Sequence, residues 1–167
     1  MLHSPQTARR RGFTLIELLI VIVVIAILAL IVIPRVMGAI RKSRESTLRE
    51  NLHHLRTAIT HFSSDTGLYP SALIDLTNAK TDPPTTGVND DGDTETIPTG
   101  TYQGPYLNAS GGIGTTGIPI NPFKAHSDAD FSDPTAHWSY GAEGPGIVHP
   151  AVPTEGSTMD GFPYSEL

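Results

Sequence analysis

Three sets of side chains in this 167-residue sequence have the types and spacing to hold a metal ion. Asn89, Asp90, Asp91, Gly92, Asp93, Thr94 and Glu95 alternate oxygen donors around a glycine, so Asp90, Asp91, Asp93 and Glu95 could wrap a hard cation. Asp128, Asp130 and Asp133 form a second, sparser set. Neither fits the full EF-hand loop, and a solvated acidic loop is the competing reading of both. Glu50, His54 and His61 share one helix face at i, i+4 and i+11, as zinc ligands sometimes do. Their spacing is not H-E-x-x-H, and we read them as a polar face that meets solvent or a neighbouring subunit. The absence of Cys removes disulfides, thiolate zinc sites, iron–sulfur clusters and thiol nucleophiles together. No Ser-His-Asp order, phosphate-cradling glycine loop or paired catalytic carboxylate can be placed on a scaffold, so no enzyme is expected.

Glu17 stands out by its surroundings. Of the 21 residues from Phe13 to Ile33, 19 are apolar, and only Thr14 and Glu17 interrupt the run. At 1.5 Å per residue a helix of that length spans about 31 Å, the thickness of a hydrocarbon core. The run is too long for the h-region of an ordinary signal peptide, and no A-x-A cleavage signal follows it. A carboxylate inside such a segment costs about 2.5–3.5 kcal/mol, so Glu17 calls for a neutralising partner. The alternative is an interfacial position, since Glu17 lies one helical turn from Phe13. Outside the run only about 30% of residues are apolar, low for a self-sufficient globule.

The charges are sorted along the elements that must position these residues. Arg9, Arg10 and Arg11 precede the run without any acid. Residues 34–62 carry Arg35, Arg41, Lys42, Arg44, Arg49 and Arg56 against Glu45 and Glu50, whereas from Ser63 onward Lys80 and Lys124 face 14 acids. With a formal net charge of −6, no nucleic-acid partner is expected. Leu48, Leu52, Leu55, Ile59 and Phe62 recur at 4, 3, 4 and 3, the stripe of a helix laid on an apolar surface. Of 30 Gly and Pro residues 26 follow Ser63, so the helix is expected to end near there. Pro34 and Gly38 weaken helix support just above the apolar run, giving one helix of roughly 50 residues with a weak point between them.

Arg9, Arg10, Arg11, Gly12, Phe13, Thr14, Leu15, Ile16, Glu17 and Leu18 together resemble the class III signal of type IV prepilins and type II secretion pseudopilins. The likeness continues through the apolar run to Pro34 and on to Asp65, Thr66, Gly67, Leu68, Tyr69 and Pro70. It implies that a membrane prepilin peptidase cuts after Gly12 and methylates the amine of Phe13, leaving the anchor on the product. Glu17 then has a partner, the Phe13 ammonium of a neighbouring subunit, and their pairing sets the axial register of assembly. The implied organisation is a cleaved leader (1–12), a transmembrane and filament-core helix (13–34), an amphipathic stem (35–63) and a periplasmic or extracellular head (64–167). The implied partners are identical subunits in a helical filament, other pseudopilins or pilins, the inner-membrane assembly platform and membrane lipid. Three basic residues before the span and five soon after it do not themselves place the N-terminus in the cytoplasm. The resemblance does so.

The expected fold is therefore α+β and pilin-like, a long N-terminal helix packed on a small antiparallel sheet in a loop-rich head. The segments Gly104 to Leu107, Ile118 to Phe123 and Trp138 to Tyr140 resemble those of the major pseudopilin of type II secretion systems and read as short strands. Gly141 to Gly146 is expected to turn the chain back into Ile147 and Val148. Thr85 to Gly100 and the tail after Pro150 read as excursions with little core. The resemblance also implies calcium, but the tail offers only Glu155, Asp160 and Glu166, so its ligands cannot be carried over; the two acidic sets above remain the candidates. The alternatives are a surface type IV pilin for adhesion, motility or DNA uptake, and a monomeric membrane-tethered domain.

Overall fold

The structure is a computed structural model of the chain; it describes residues 13–108, 117–124, 135, 137–151, 158, 161 and 163. Helix α1 occupies Leu15–Thr66, 52 residues that include Pro34. Its first turn is closed by Thr14, whose Oγ1 accepts from the Glu17 amide at 3.3 Å while its carbonyl accepts from the Leu18 amide at 3.3 Å. At the other end the Thr66 hydroxyl donates to the Phe62 carbonyl at 2.8 Å, and Gly67 takes φ +77°, the left-handed conformation that ends helices. Ser63 thus lies in the last turn rather than beyond it.

The chain forms two compact units, Met1–Arg41 and Lys42–Leu167. In the first, the helix exposes every large apolar side chain from Leu15 to Ile33. That segment is long and apolar enough to cross a membrane. A face this wide, apolar all round, is stable only against lipid or other helices.

The second unit holds the core. Leu48, Leu52, Leu55, Ile59 and Phe62 are all buried, joined by Ala58, and they pack with Leu68, Leu73, Leu76, Ile97, Tyr102, Ile118, Trp138 and Val148. The expected stripe is therefore the inner face of the stem. Around it run β1 (Tyr69–Pro70), a 3₁₀ turn (Leu73–Thr77), β2 (Thr86–Val88), β3 (Thr94–Thr96), β4 (Trp138–Tyr140) and β5 (Val148–Pro150). β1, β2 and β3 form an antiparallel sheet in that order, with Tyr69 opposite Val88 and Gly87 opposite Glu95. β4 and β5 pair antiparallel, Ser139 opposite His149.

Two expectations need correction. Thr85 to Gly100 is not an excursion: it supplies β2 and β3 and buries Ile97. Its strands are three residues each and rich in Thr and Gly, without the apolar alternation that marks a strand in sequence. Gly87 is required there, since a Cβ would stand 2.8 Å from both the Leu68 Cβ and the Tyr69 carbonyl oxygen. Conversely, Gly104 to Leu107 and Ile118 to Phe123 are not strands. The pairing of Trp138–Tyr140 with the chain after Gly146 is as expected, with Trp138 buried and Ser139 exposed.

Candidate functional site

The N-terminal residues form the first candidate site. Phe13 is exposed, Glu17 sits in the first turn of α1, and Pro34 lies within the helix; Gly12 falls outside the described residues. The Thr14 cap reveals something the sequence reading missed. Thr14, Leu15, Ile16 and Glu17 follow the S/T-x-x-E pattern, in which a hydroxyl caps the amide three residues on. Glu17 thereby holds a position favoured for a carboxylate by the positive end of the helix dipole, besides any role toward another chain.

The second site is the scaffold that fixes the head on the stem. Two carbonyls of non-repetitive or edge backbone are held by stem side chains: Asn51 Nδ2 donates to the Ile120 carbonyl at 2.8 Å, and an Arg56 guanidinium nitrogen donates to the Val148 carbonyl at 3.3 Å. Trp138 Nε1 donates to the Pro119 carbonyl at 2.6 Å. Asn121, fully buried, donates to the His137 and Ala151 carbonyls at 3.4 Å each and accepts from the Phe123 amide at 3.0 Å. These bonds explain why Ile118 and Asn121 can be buried, and their neighbours half-buried, without joining a ladder. Asn51 and Asn121 carried no signal in the sequence beyond being amides near apolar residues.

Above them, Phe62, Tyr102 and Tyr106 pack edge to face, with centroids 5.8 Å apart from Phe62 to each tyrosine and 5.3 Å between the tyrosines. The Tyr102 hydroxyl donates within reach of the Asn78 carbonyl at 2.7 Å, and the Tyr106 hydroxyl donates to Asp65 Oδ2 at 2.7 Å. Burial, reinforced for Tyr102 by neighbouring negative charge and for Tyr106 by Asp65, pushes both phenols up to about 12. Burial also raises Asp75 above its ordinary value, against the pull of backbone amides such as that of Ala72, 2.8 Å from Oδ2.

The acidic candidates are placed as follows. Asn89 to Asp93 form the tip between β2 and β3, where Asn89 Oδ1 accepts from the amides of Asp91 at 3.1 Å and Asp93 at 2.8 Å, and Asn89 Nδ2 donates to Glu95 Oε1 at 2.6 Å. The one amide oxygen of the set is thus spent on the turn, while Asp90, Asp91, Asp93 and Glu95 are exposed. Among the described residues no three His, Cys, Asp or Glu side chains converge as metal ligands. In this arrangement the carboxylates of Asp90, Asp91, Asp93 and Glu95 do not converge on one point. Asp128, Asp130 and Asp133 lie outside the described residues. On the stem, Glu50 and His54 approach to 3.9 Å and both are exposed, as is His61.

An anchor helix apolar on all sides, continuing into an amphipathic stem that carries a small β-rich head, defines the pilin-like class of subunit. The comparisons with known proteins agree. Residues 7–33 match the prokaryotic N-terminal methylation motif. The type II secretion system core protein G of Aeromonas hydrophila is 30% identical over 141 residues, covering 80% of this chain and 96% of that protein. The core protein G of Escherichia coli K12 is 31% identical over 105 residues, 60% of this chain and 72% of that protein. The type IV major pilin PilA of Myxococcus xanthus is 46% identical, but over 61 residues that cover 36% of this chain and 28% of the pilin. No solved structure matches. The chain belongs to the type II secretion system core protein G family.

Proposed function

We propose that this chain is a structural pseudopilin, which polymerises from the inner membrane into a filament that supports protein export by a type II secretion system. The observation that carries this reading is the likeness to core protein G over nearly the whole length of the Aeromonas protein, head included. The pilin likeness stops at about the length of the anchor and stem, which is why a surface pilus is the second reading.

In this reading a prepilin peptidase cleaves between Gly12 and Phe13 on the cytoplasmic face and methylates the Phe13 amine, and the acidic head lies in the periplasm. The motif over residues 7–33 supports the cleavage. Methylation keeps the amine cationic while adding apolar surface. In the low-dielectric core of a filament, the Phe13 ammonium of one subunit and Glu17 of another attract strongly, and leaving either charge unpaired is costly. The exposed anchor then exchanges lipid contacts for helix contacts as each subunit leaves the bilayer. Other pseudopilins and the assembly platform are the further partners.

Mass spectrometry of membrane-extracted protein tests the processing step. A mature chain starting at methylated Phe13 is the expected result. An uncut leader in cells with active prepilin peptidase, or an N-terminus near Pro34, would refute it. Gly12→Asp should block cleavage.

A further inference from the structure

Five basic residues, Arg35, Arg41, Lys42, Arg44 and Arg49, follow the apolar run on the side that the proposed topology places outside the cytoplasm, against three before it. Membrane spans ordinarily carry their excess of Lys and Arg on the cytoplasmic side, so this distribution opposes the topology and calls for a local use of the charge. Arg41 and Arg49 are engaged within the chain. Arg35, Lys42 and Arg44 are exposed, and among the described residues none of the three pairs with an acid or is held by a carbonyl.

These three stand where α1 leaves the bilayer. Arg35 is two residues beyond Ile33, and Val36, Met37 and Ile40 stay exposed after it, so apolar surface continues along the helix past the end of the run. From Leu15 to Ile40 the helix rises about 39 Å, more than a hydrocarbon core of about 30 Å and less than the 40–45 Å that includes about both headgroup layers. Val36, Met37 and Ile40 therefore belong at the level of the headgroups. Lys42 and Arg44 follow Ile40 along the same helix after about 3 and 6 Å of rise. Side chains on a helix lean toward its N-terminus, here the membrane side, so the long arms of Lys42 and Arg44 reach back toward the bilayer. No acid lies between Glu17 and Glu45 to compete for the three cations.

We propose that Arg35, Lys42 and Arg44 bind the headgroup phosphates of anionic phospholipid in the leaflet on the head side of the membrane. This rests on the anchor and topology proposed above, and names the lipid class that the anchor prefers. Charge selects the occupant. Two arginine forks match pairs of phosphate oxygens, and the lysine adds a point charge. The head, with two Lys against 14 acids from Ser63 onward, is repelled by the same leaflet, so the attraction acts at the base of the stem.

The test places the full chain in phosphatidylcholine nanodiscs with trace spin-labelled lipid. Electron spin resonance then reads how strongly labelled phosphatidylglycerol is held at the protein relative to labelled phosphatidylcholine. The original chain should favour phosphatidylglycerol by about fivefold or more, the equivalent of about 1 kcal/mol, and the preference should shrink as salt is raised. Arg35→Gln, Lys42→Gln and Arg44→Gln together should lower it about threefold or more. Arg9, Arg10 and Arg11 stay in every variant, so the difference reports the base of the stem alone. Lys80→Gln with Lys124→Gln, which removes the same sign of charge from the head, should change nothing. A preference unaltered by the triple substitution, or lowered as much by the head pair, would overturn the proposal while leaving the anchor in place. A chain that does not enter the disc would refute the anchor, and this site with it.

Discussion

At the scale of single residues, Glu17 does two separable things. Its backbone amide receives the Thr14 cap, which any residue could do, while its carboxylate sits in the first turn of a helix bound for an apolar phase. Glu17→Ala should leave membrane insertion and leader cleavage intact, because alanine makes the anchor more apolar, yet abolish or strongly reduce filaments. Glu17→Gln keeps the side-chain length and most of the capping capacity without the charge. Equal filament loss in both variants assigns the effect to charge, and wild-type filament counts from fully processed Glu17→Ala protein would refute the register mechanism. Asn121 is a purely structural counterpart. Asn121→Ala would remove its bonds to the His137 and Ala151 carbonyls and the Phe123 amide, each worth on the order of 1 kcal/mol, and should appear as a lower midpoint in thermal or urea melts of the head. Glu17 announced itself in the sequence by being charged among isoleucines and leucines. Asn121 did not, because an asparagine between two prolyl-linked apolar residues looks the same whether it turns outward or inward.

At the scale of elements, the stem was legible and the hairpin was not. Five apolar residues at helical spacing fixed the inner face of α1 to the residue, whereas β2 and β3 owe their existence to register with β1 and to Gly87 packing against Leu68. Strands so short carry no period of their own, and the acidic tip between them reads equally as a ligand loop. The bonds within it commit Asn89 to the turn. Asn89→Ala should therefore loosen the hairpin, measurable as faster amide exchange at Asp91 and Asp93. Replacing Asp90, Asp91 and Asp93 together by Asn should leave any difference between melting curves in calcium and in chelator unchanged. A calcium-dependent rise in the original chain that disappears in the triple variant would reverse that conclusion.

At the scale of the whole molecule, neutral phenols stabilise the head alongside aliphatic burial. Tyr102 and Tyr106 have ordinary values of 10.0 and are pushed to about 12 by folding, so between these limits the folded head holds protons that the unfolded chain has released. Their contribution is complete below about pH 10 and is lost as pH rises through about 12. The melting temperature of a processed, detergent-solubilised chain should fall over that window. Tyr106→Phe should flatten the fall while lowering stability at neutral pH through the lost bond to Asp65. A slope unaltered by the substitution would place the alkaline transition elsewhere.

Among the described residues the cap on α1 is made by Thr14, on the product side of the proposed cleavage after Gly12. The Thr14 bonds to the Glu17 and Leu18 amides would therefore survive the proposed cleavage. In the proposed processing, what the peptidase would add to this helix start is a single positive charge at Phe13, one turn before the carboxylate of Glu17.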